Sequence, residues 1–247
     1  MEKNYHINTN CVQAGYSPKN GEPRVLPIVQ STTYKYESSE QMGRLFDLEE
    51  NGYFYTRLQN PTNDAVAARI TALEGGVAGM LTSSGQAANF YATFNVASAG
   101  DHIVSSTAIY GGTFNLFSVT MKKLGIDFTF VRPDVSEEEL NAAFRPNTKA
   151  VFAETLSNPS LDVLDIEKFA KAAHAHGVPL IVDNTFATPY LLRPSNLARI
   201  LSLIPPRNIW MVMPPVSAAR SLTAAISTGR RTISSPASPR RMRAIMA

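Results

Sequence analysis

The chain has 247 residues, 44% of them apolar, enough to bury a sizeable core and too apolar for a disordered polymer. Its formal charge of +3 does not describe a nucleic-acid binder: residues 195–247 hold eight Arg with no Lys and no acid, leaving 15 of the 23 basic residues against all 20 acidic ones in the body. The single Cys11 excludes an internal disulfide and a cysteine metal cluster, and no stretch approaches the roughly 20 apolar residues of a membrane span, so a soluble cytoplasmic protein is expected.

Residues 1–60 are rich in Pro, Gly, Asn and Thr and poor in periodicity, which predicts an extended arm of the kind that embraces another subunit. From Pro61, "PTNDAVAARITALEGG" places Val66, Ile70 and Leu73 at helical spacing and stops at Gly75 and Gly76. Short apolar runs and amphipathic segments then alternate. "AGMLTSS", "DHIVSS", "IDFTFVRP", "KAVFAETLS" and "PLIVDNT" read as strands. "GQAANFYATFNVA", "GGTFNLFSVTMKKLG", "SEEELNAAF" with its Ser136–Glu139 capping box, and "DIEKFAKAAHAHG" read as helices. Such alternation predicts an α/β fold with a mainly parallel sheet covered on both faces, and ligands in such sheets bind at the strands' carboxyl ends.

Polar residues gather at those ends, in "TSSGQAA", "STAIYGGT", "ETLSNP" and "VDNT". The "SSGQAA" turn at 83–88 is either an ordinary capped βα turn or a phosphate cradle of free N–H groups at a helix start, with Gly85 admitting close approach. Tyr110 fits a ring lying flat on a planar ligand, or a tyrosine filling the core. Asp183 closes an apolar strand, so its carboxylate calls for a cation such as a protonated heterocyclic nitrogen, unless it caps a helix or pairs with an Arg. Tyr55 and Arg57, at i and i+2 of an extended segment, form either a phosphate grip or a solvated surface pair. His174 and His176 do not share a helix face, and no metal is expected.

Together and in this order, "PIVQSTTYKYES", "YFYTRLQNPTNDAVAARITALEGG", "TSSGQAA", "IYGGTFNLF", "ETLSNPSLDVLDI" and "GVPLIVDNTFATPYLLRP" resemble the Cys/Met-metabolism enzymes that depend on pyridoxal 5'-phosphate, and within them the O-acetylhomoserine sulfhydrylase branch. The resemblance covers residues 5–194. It implies the large domain of a fold type I transferase, with Gly85 and Gln86 on the cofactor phosphate and Tyr110 stacked on the ring. It further implies Asp183 on the ring nitrogen, Asn158 beside the phenolic oxygen, and Tyr55 and Arg57 reaching the phosphate in a neighbouring subunit's site. The implied unit is a dimer or tetramer. The implied reaction is γ-replacement on O-acetyl-L-homoserine by sulfide or a thiol, with cystathionine γ-synthase and methionine γ-lyase as close relatives.

The resemblance also implies a lysine, roughly two dozen residues after Asp183, that carries the cofactor covalently. Here that stretch reads "SLIPPRNIWMVMPPVSAARS", without a Lys. A domain boundary is one reading of the change and a slipped reading frame is another. Out of frame, the last base of Trp210 with the first two of Met211 must encode Asp, and the last base of Met211 with the first two of Val212 must encode Gly. Codon choices around them allow a family-like "DIVINSATKYMDGHATSVGG" from Arg199 onward. Residues 1–60 are therefore expected to be the arm, 61–194 a truncated cofactor domain, and 195–247 a tail foreign to the family, with a single-base slip near 194–199. Loss of the strand that should follow Asp183 is expected to leave a bare sheet edge there.

Overall fold

The computed structural model describes residues 5–197, 200–204 and 223–227. Within the arm two short helices form, α1 (Ile7–Gln13) and α2 (Ser39–Phe46). They are an addition to the extended arm expected above, and both owe their start to local caps: the His6 ring accepts from Asn8 N, and the Ser38 hydroxyl accepts from Gln41 N. Helix α3 (Pro61–Glu74) carries Pro at its start, an Asn60 cap and a left-handed Gly75 at its end, as its sequence foretells.

The rest follows in chain order as β1 (Ala78–Thr82), α4 (Gly85–Val96), β2 (His102–Ser106), α5 (Gly111–Asn115) and a π-helical continuation over Leu116–Met121. Then come β3 (Asp127–Val131), α6 (Glu137–Ala142), β4 (Thr148–Glu154), α7 (Ile166–Ala175), β5 (Leu180–Asp183), α8 (Thr188–Leu191), β6 (Ile200–Ile204) and β7 (Thr223–Ser227). One sheet holds them in the order β1-β7-β6-β5-β4-β2-β3. Strands β2 to β6 pair in parallel, and β7 runs antiparallel to both β1 and β6.

The bare edge beside β5 is therefore not observed. β6 pairs with β5 in parallel register, Ile181 opposite Leu201 and Asp183 opposite Leu203. The physical reason is that "ILSLI" is a short apolar run, and Ser202, Leu203 and Ile204 are all buried there despite the basic, Pro-punctuated sequence around them.

Alternation along the strands divides the core in two. Val151, Ala153, Leu180 and Val182 face α7, with Phe169, Ala173 and Leu140. Ala150, Phe152, Ile181 and Leu203 face α4 and α5, with Ala88, Ala92 and Phe117. By the same parity Glu154 and Asp183, the last residues of β4 and β5, lie on the α4 side. Phe117 anchors this half, its ring centroid 4.8 Å from Phe152 edge-on and 4.6 Å from Phe128 in a stack.

The arm is tied to α3 by close backbone approach. Gly15 has φ +85°, and a Cβ there would meet Ala65 O at 2.2 Å; beside it Arg69 Nε donates to Ala14 O at 2.8 Å. Asn60 links both parts, its Oδ1 accepting from Thr62 N (2.9 Å) while its Nδ2 donates to Val29 O (3.0 Å). Asn60→Ala is expected to cost about 1–2 kcal/mol, since cap and arm bond go together. Urea melts check this; an unchanged midpoint would show that the cap contributes nothing.

Candidate active site

Helix α4 starts beyond the carboxyl end of β1. Its Ser84 cap oxygen accepts from Ala87 N at 3.0 Å. The N–H groups of Gly85 and Gln86 precede the first intrahelical bond, and the helix dipole makes that end favourable for an anion. One turn on, about 6 Å along the axis, stands buried Asn89. Its Nδ2 donates to Thr113 Oγ1 at 2.9 Å, and its amide lies near the Asp183 carboxylate, whose pKa it lowers. Gln86 Nε2 reaches the same Thr113 hydroxyl at 3.2 Å. Thr113 thus stitches α4 to α5.

Tyr110 caps α5 with its ring half exposed. Gly112 leaves room for that ring, because a Cβ there would come 2.6 Å from Tyr110 Cε1 and 3.1 Å from Gln86 Nε2. Tyr110 N donates to Glu154 Oε1 at 2.7 Å, and the backbone N–H of Asn158 lies near the same carboxylate and lowers its pKa. Asn158 itself is exposed, on the loop after β4.

Glu154 and Asp183 are register partners on adjacent strands, each only 7% exposed. Among the described residues no ion pair includes either one. Asp183 Oδ1 accepts from both the N–H (3.0 Å) and the hydroxyl of Thr185. Burial nevertheless raises the Asp183 pKa, and burial together with the Asp183 charge pushes Glu154 up to about 8. Two adjoining buried carboxylates without a cation are a costly arrangement, so the pair favours a positively charged ligand. Beside them Asn89 Oδ1 is buried without a partner.

Gly85, Gln86, Tyr110, Asn158 and Asp183 therefore converge on one edge of the sheet, on its α4 side. Tyr55 and Arg57 stay in the arm. Tyr55 bridges to Thr33, and the Arg57 guanidinium lies 4.7 Å over the Tyr55 ring. The sequence reading missed Asn89, Thr113 and Glu154. A signal for Glu154 existed, since a lone acid ends the buried run "AVFAE"; Asn89 was detectable as a polar residue one turn after Gly85.

No helix among the described residues is long and apolar enough to cross a membrane. Comparison with known proteins agrees with the geometry. The sequence model of the Cys/Met metabolism PLP-dependent enzymes matches residues 8–200. An O-acetyl-L-homoserine sulfhydrylase of Corynebacterium glutamicum is 50% identical over 192 residues, covering 77% of this chain and 44% of that protein. A homocysteine synthase of Schizosaccharomyces pombe is 47% identical over 191 residues, covering 76% and 44%. The chain thus spans less than half the length of these curated relatives.

Among solved structures, a putative O-acetylhomoserine (thiol)-lyase of Campylobacter jejuni superposes with a TM-score of 0.85 at 35% identity, over 92% of this chain and 55% of that one. It contains N'-pyridoxyl-lysine-5'-monophosphate. A cystathionine gamma-lyase of Lactobacillus plantarum superposes with a TM-score of 0.81 at 31% identity, over 98% and 58%. The converging loops, the strand order and the matched span agree: the chain belongs to the Cys/Met-metabolism PLP-dependent enzyme family.

Proposed function

We propose that the chain is the cofactor-binding part of a pyridoxal-phosphate-dependent transferase that replaces the γ-acetoxy group of O-acetyl-L-homoserine with sulfide or a thiol, giving homocysteine or methionine. The observation that carries this reading is the buried pair Glu154 and Asp183, without an ion-pair partner among the described residues and with Asn89, one turn from a helix N-terminus, near Asp183. One small molecule with an anionic group at one end and a protonated ring at the other satisfies both ends, which is the chemistry of pyridoxal phosphate.

In this reading Gly85 and Gln86 N–H groups bind the phosphate, and the Tyr110 ring lies against the heterocycle. Asp183 holds a proton on the ring nitrogen, with Thr185 and Asn89 fixing its orientation. Asn158 stands at the phenolic oxygen. When bound, the cofactor supplies the electron sink for the substrate's α-carbon. Tyr55 and Arg57 serve the phosphate of a second copy's site, making the unit a cytoplasmic homo-oligomer with residues 1–60 as its arm and no nucleic-acid or membrane partner. Residues 195–247 are read as the product of a slipped frame. A second reading, a non-catalytic subunit that holds the cofactor without turnover, is favoured by one observation: Lys171 is the last lysine of the chain.

Asp183→Asn tests the site. Losing a charged hydrogen bond of about 1.5–3 kcal/mol is expected to weaken pyridoxal 5'-phosphate binding about 10–100-fold in equilibrium dialysis, with affinity for inorganic phosphate unchanged. Equal cofactor affinity in chain and variant would remove Asp183 from the site.

A further inference from the structure

We propose that Glu154 is a positioning residue of this site: its buried carboxylate, on the same sheet face as Asp183 and one strand over, holds the backbone N–H of Tyr110 and faces that of Asn158, and so sets two cofactor-contacting loops from one point. The inference rests on the reading of the site given above, and it adds a residue that touches neither phosphate nor ring in that reading.

Three observations carry it. First, Tyr110 N donates to Glu154 Oε1 at 2.7 Å across 44 residues of sequence, a charge-assisted length. Tyr110 N has no helical partner to fall back on, because it caps α5 and its side chain makes no cap bond. Second, the backbone N–H of Asn158 approaches the same carboxylate closely enough to lower its pKa, although Asn158 lies on a different, solvent-facing loop. Third, Glu154 ends a strand whose Val151, Phe152 and Ala153 are fully buried, so the carboxylate has a rigid base. An acid placed there for charge alone would be poorly sited, directly beside Asp183. The bond from Tyr110 N, with the N–H of Asn158 nearby, gives it a purpose that an apolar residue could not serve.

The consequence is mechanical. The Tyr110 ring is half exposed, so its orientation depends largely on its backbone. Gly112, which must stay small to clear the ring, offers no side chain to brace it. Glu154 is then the tether that keeps the ring parallel to whatever lies over Asp183.

The experiment compares the full chain with Glu154→Ala and Glu154→Gln by amide hydrogen exchange, and by dialysis against pyridoxal 5'-phosphate and against inorganic phosphate. In Glu154→Ala the Tyr110 and Asn158 amides are expected to exchange about tenfold faster or more, while Phe152 and Val182 keep their protection. Pyridoxal 5'-phosphate affinity is expected to fall about tenfold with phosphate affinity held within about twofold, because the α4 N-terminus is untouched. Glu154→Gln, which keeps an acceptor oxygen and the volume, is expected to recover part of both losses, and it carries the comparison if the Ala variant does not fold. Unchanged exchange at Tyr110 and Asn158, or acceleration spread evenly over the sheet, overturns the proposal. Failure of the unsubstituted chain to take up pyridoxal 5'-phosphate overturns the cofactor reading instead, and the exchange comparison still decides the tether.

Discussion

A single-base correction of the coding sequence near codons 194–199 is expected to raise turnover of O-acetyl-L-homoserine with sulfide by about a thousandfold or more over the chain as written, the scale of a lost nucleophile and proton-transfer group. Among the described residues, the three lysines of β4 and α7 do not stand in for the one the family uses. Lys168 and Lys171 lie on α7, whose buried side packs the opposite sheet face from Asp183. Lys168 Nζ donates to Val135 O at 2.8 Å, and Lys171 Nζ pairs with Glu137 at 2.9 Å. Lys149 faces Asp101 at 3.7 Å. Each is committed away from the site. Borohydride treatment with pyridoxal 5'-phosphate is expected to leave the chain as written unlabelled at the site and to label one lysine peptide of the corrected chain. An uninterrupted frame in independent DNA reads, with equal turnover by both chains, would sink the slipped-frame account.

The second large effect concerns Glu74, fully buried at the end of α3. Its Oε1 accepts from Asn184 Nδ2 at 3.3 Å and Ser202 Oγ at 3.2 Å, while its Oε2 and the neighbouring Asn184 Oδ1 have no partner. Burial raises its pKa to about 7, against the bonds from Asn184 and Ser202 and the Arg193 charge, which lower it. A carboxyl whose folded pKa exceeds its unfolded value of 4.5 favours the folded state in its protonated form. That stability is complete below pH 4.5 and is lost as pH rises through about 7. The loss is on the order of 3 kcal/mol. Glu154, raised to about 8, adds a loss of the same sign. The depressed carboxyls Glu50 and Asp134 act oppositely but are exposed, and their contribution is small.

Urea melts are therefore expected to show lower stability at pH 9 than at pH 5. Glu74→Gln is expected to raise stability at pH 9 by about 1–3 kcal/mol, since its oxygen keeps both bonds and the buried charge is gone. A chain whose stability is flat or rises between these pH values, with no gain from the substitution, would show that Glu74 is solvated rather than buried.

Much of the architecture was legible because it is written in local periodicity. Period-two and period-3.6 apolar patterns marked β1 to β5 and helices α3, α4, α6 and α7, and caps such as Asn60 and Ser136 set helix starts close to where they occur. The helix expected over 111–125 is real but divided, its middle turns π-helical over Leu116–Met121 where Phe117 and Met121 are driven into the core. Gly85, Gln86, Tyr110, Asn158 and Asp183 could be singled out because polar residues at the carboxyl ends of apolar strands stand out in a linear reading.

Glu154 closes an apolar run and Asn89 lies one turn into a helix, but neither position, nor that of Thr113, says what the side chain does. Their meaning lies in bonds spanning 24 to 44 residues, Asn89 to Thr113 and Tyr110 to Glu154, and no local pattern encodes a partner on another element. The same holds for β6, where composition argued against a strand and pairing with β5 decided for one. By itself, then, the sequence determined which segments are strands and helices between residues 61 and 185 and which residue types gather at the strand ends, since both depend on neighbours along the chain. Only the tertiary structure decided that Glu154 and Asp183 share one face and that Asn89 of α4 stands near Asp183, since face and contact are set by strand register and helix packing, which bring distant residues together.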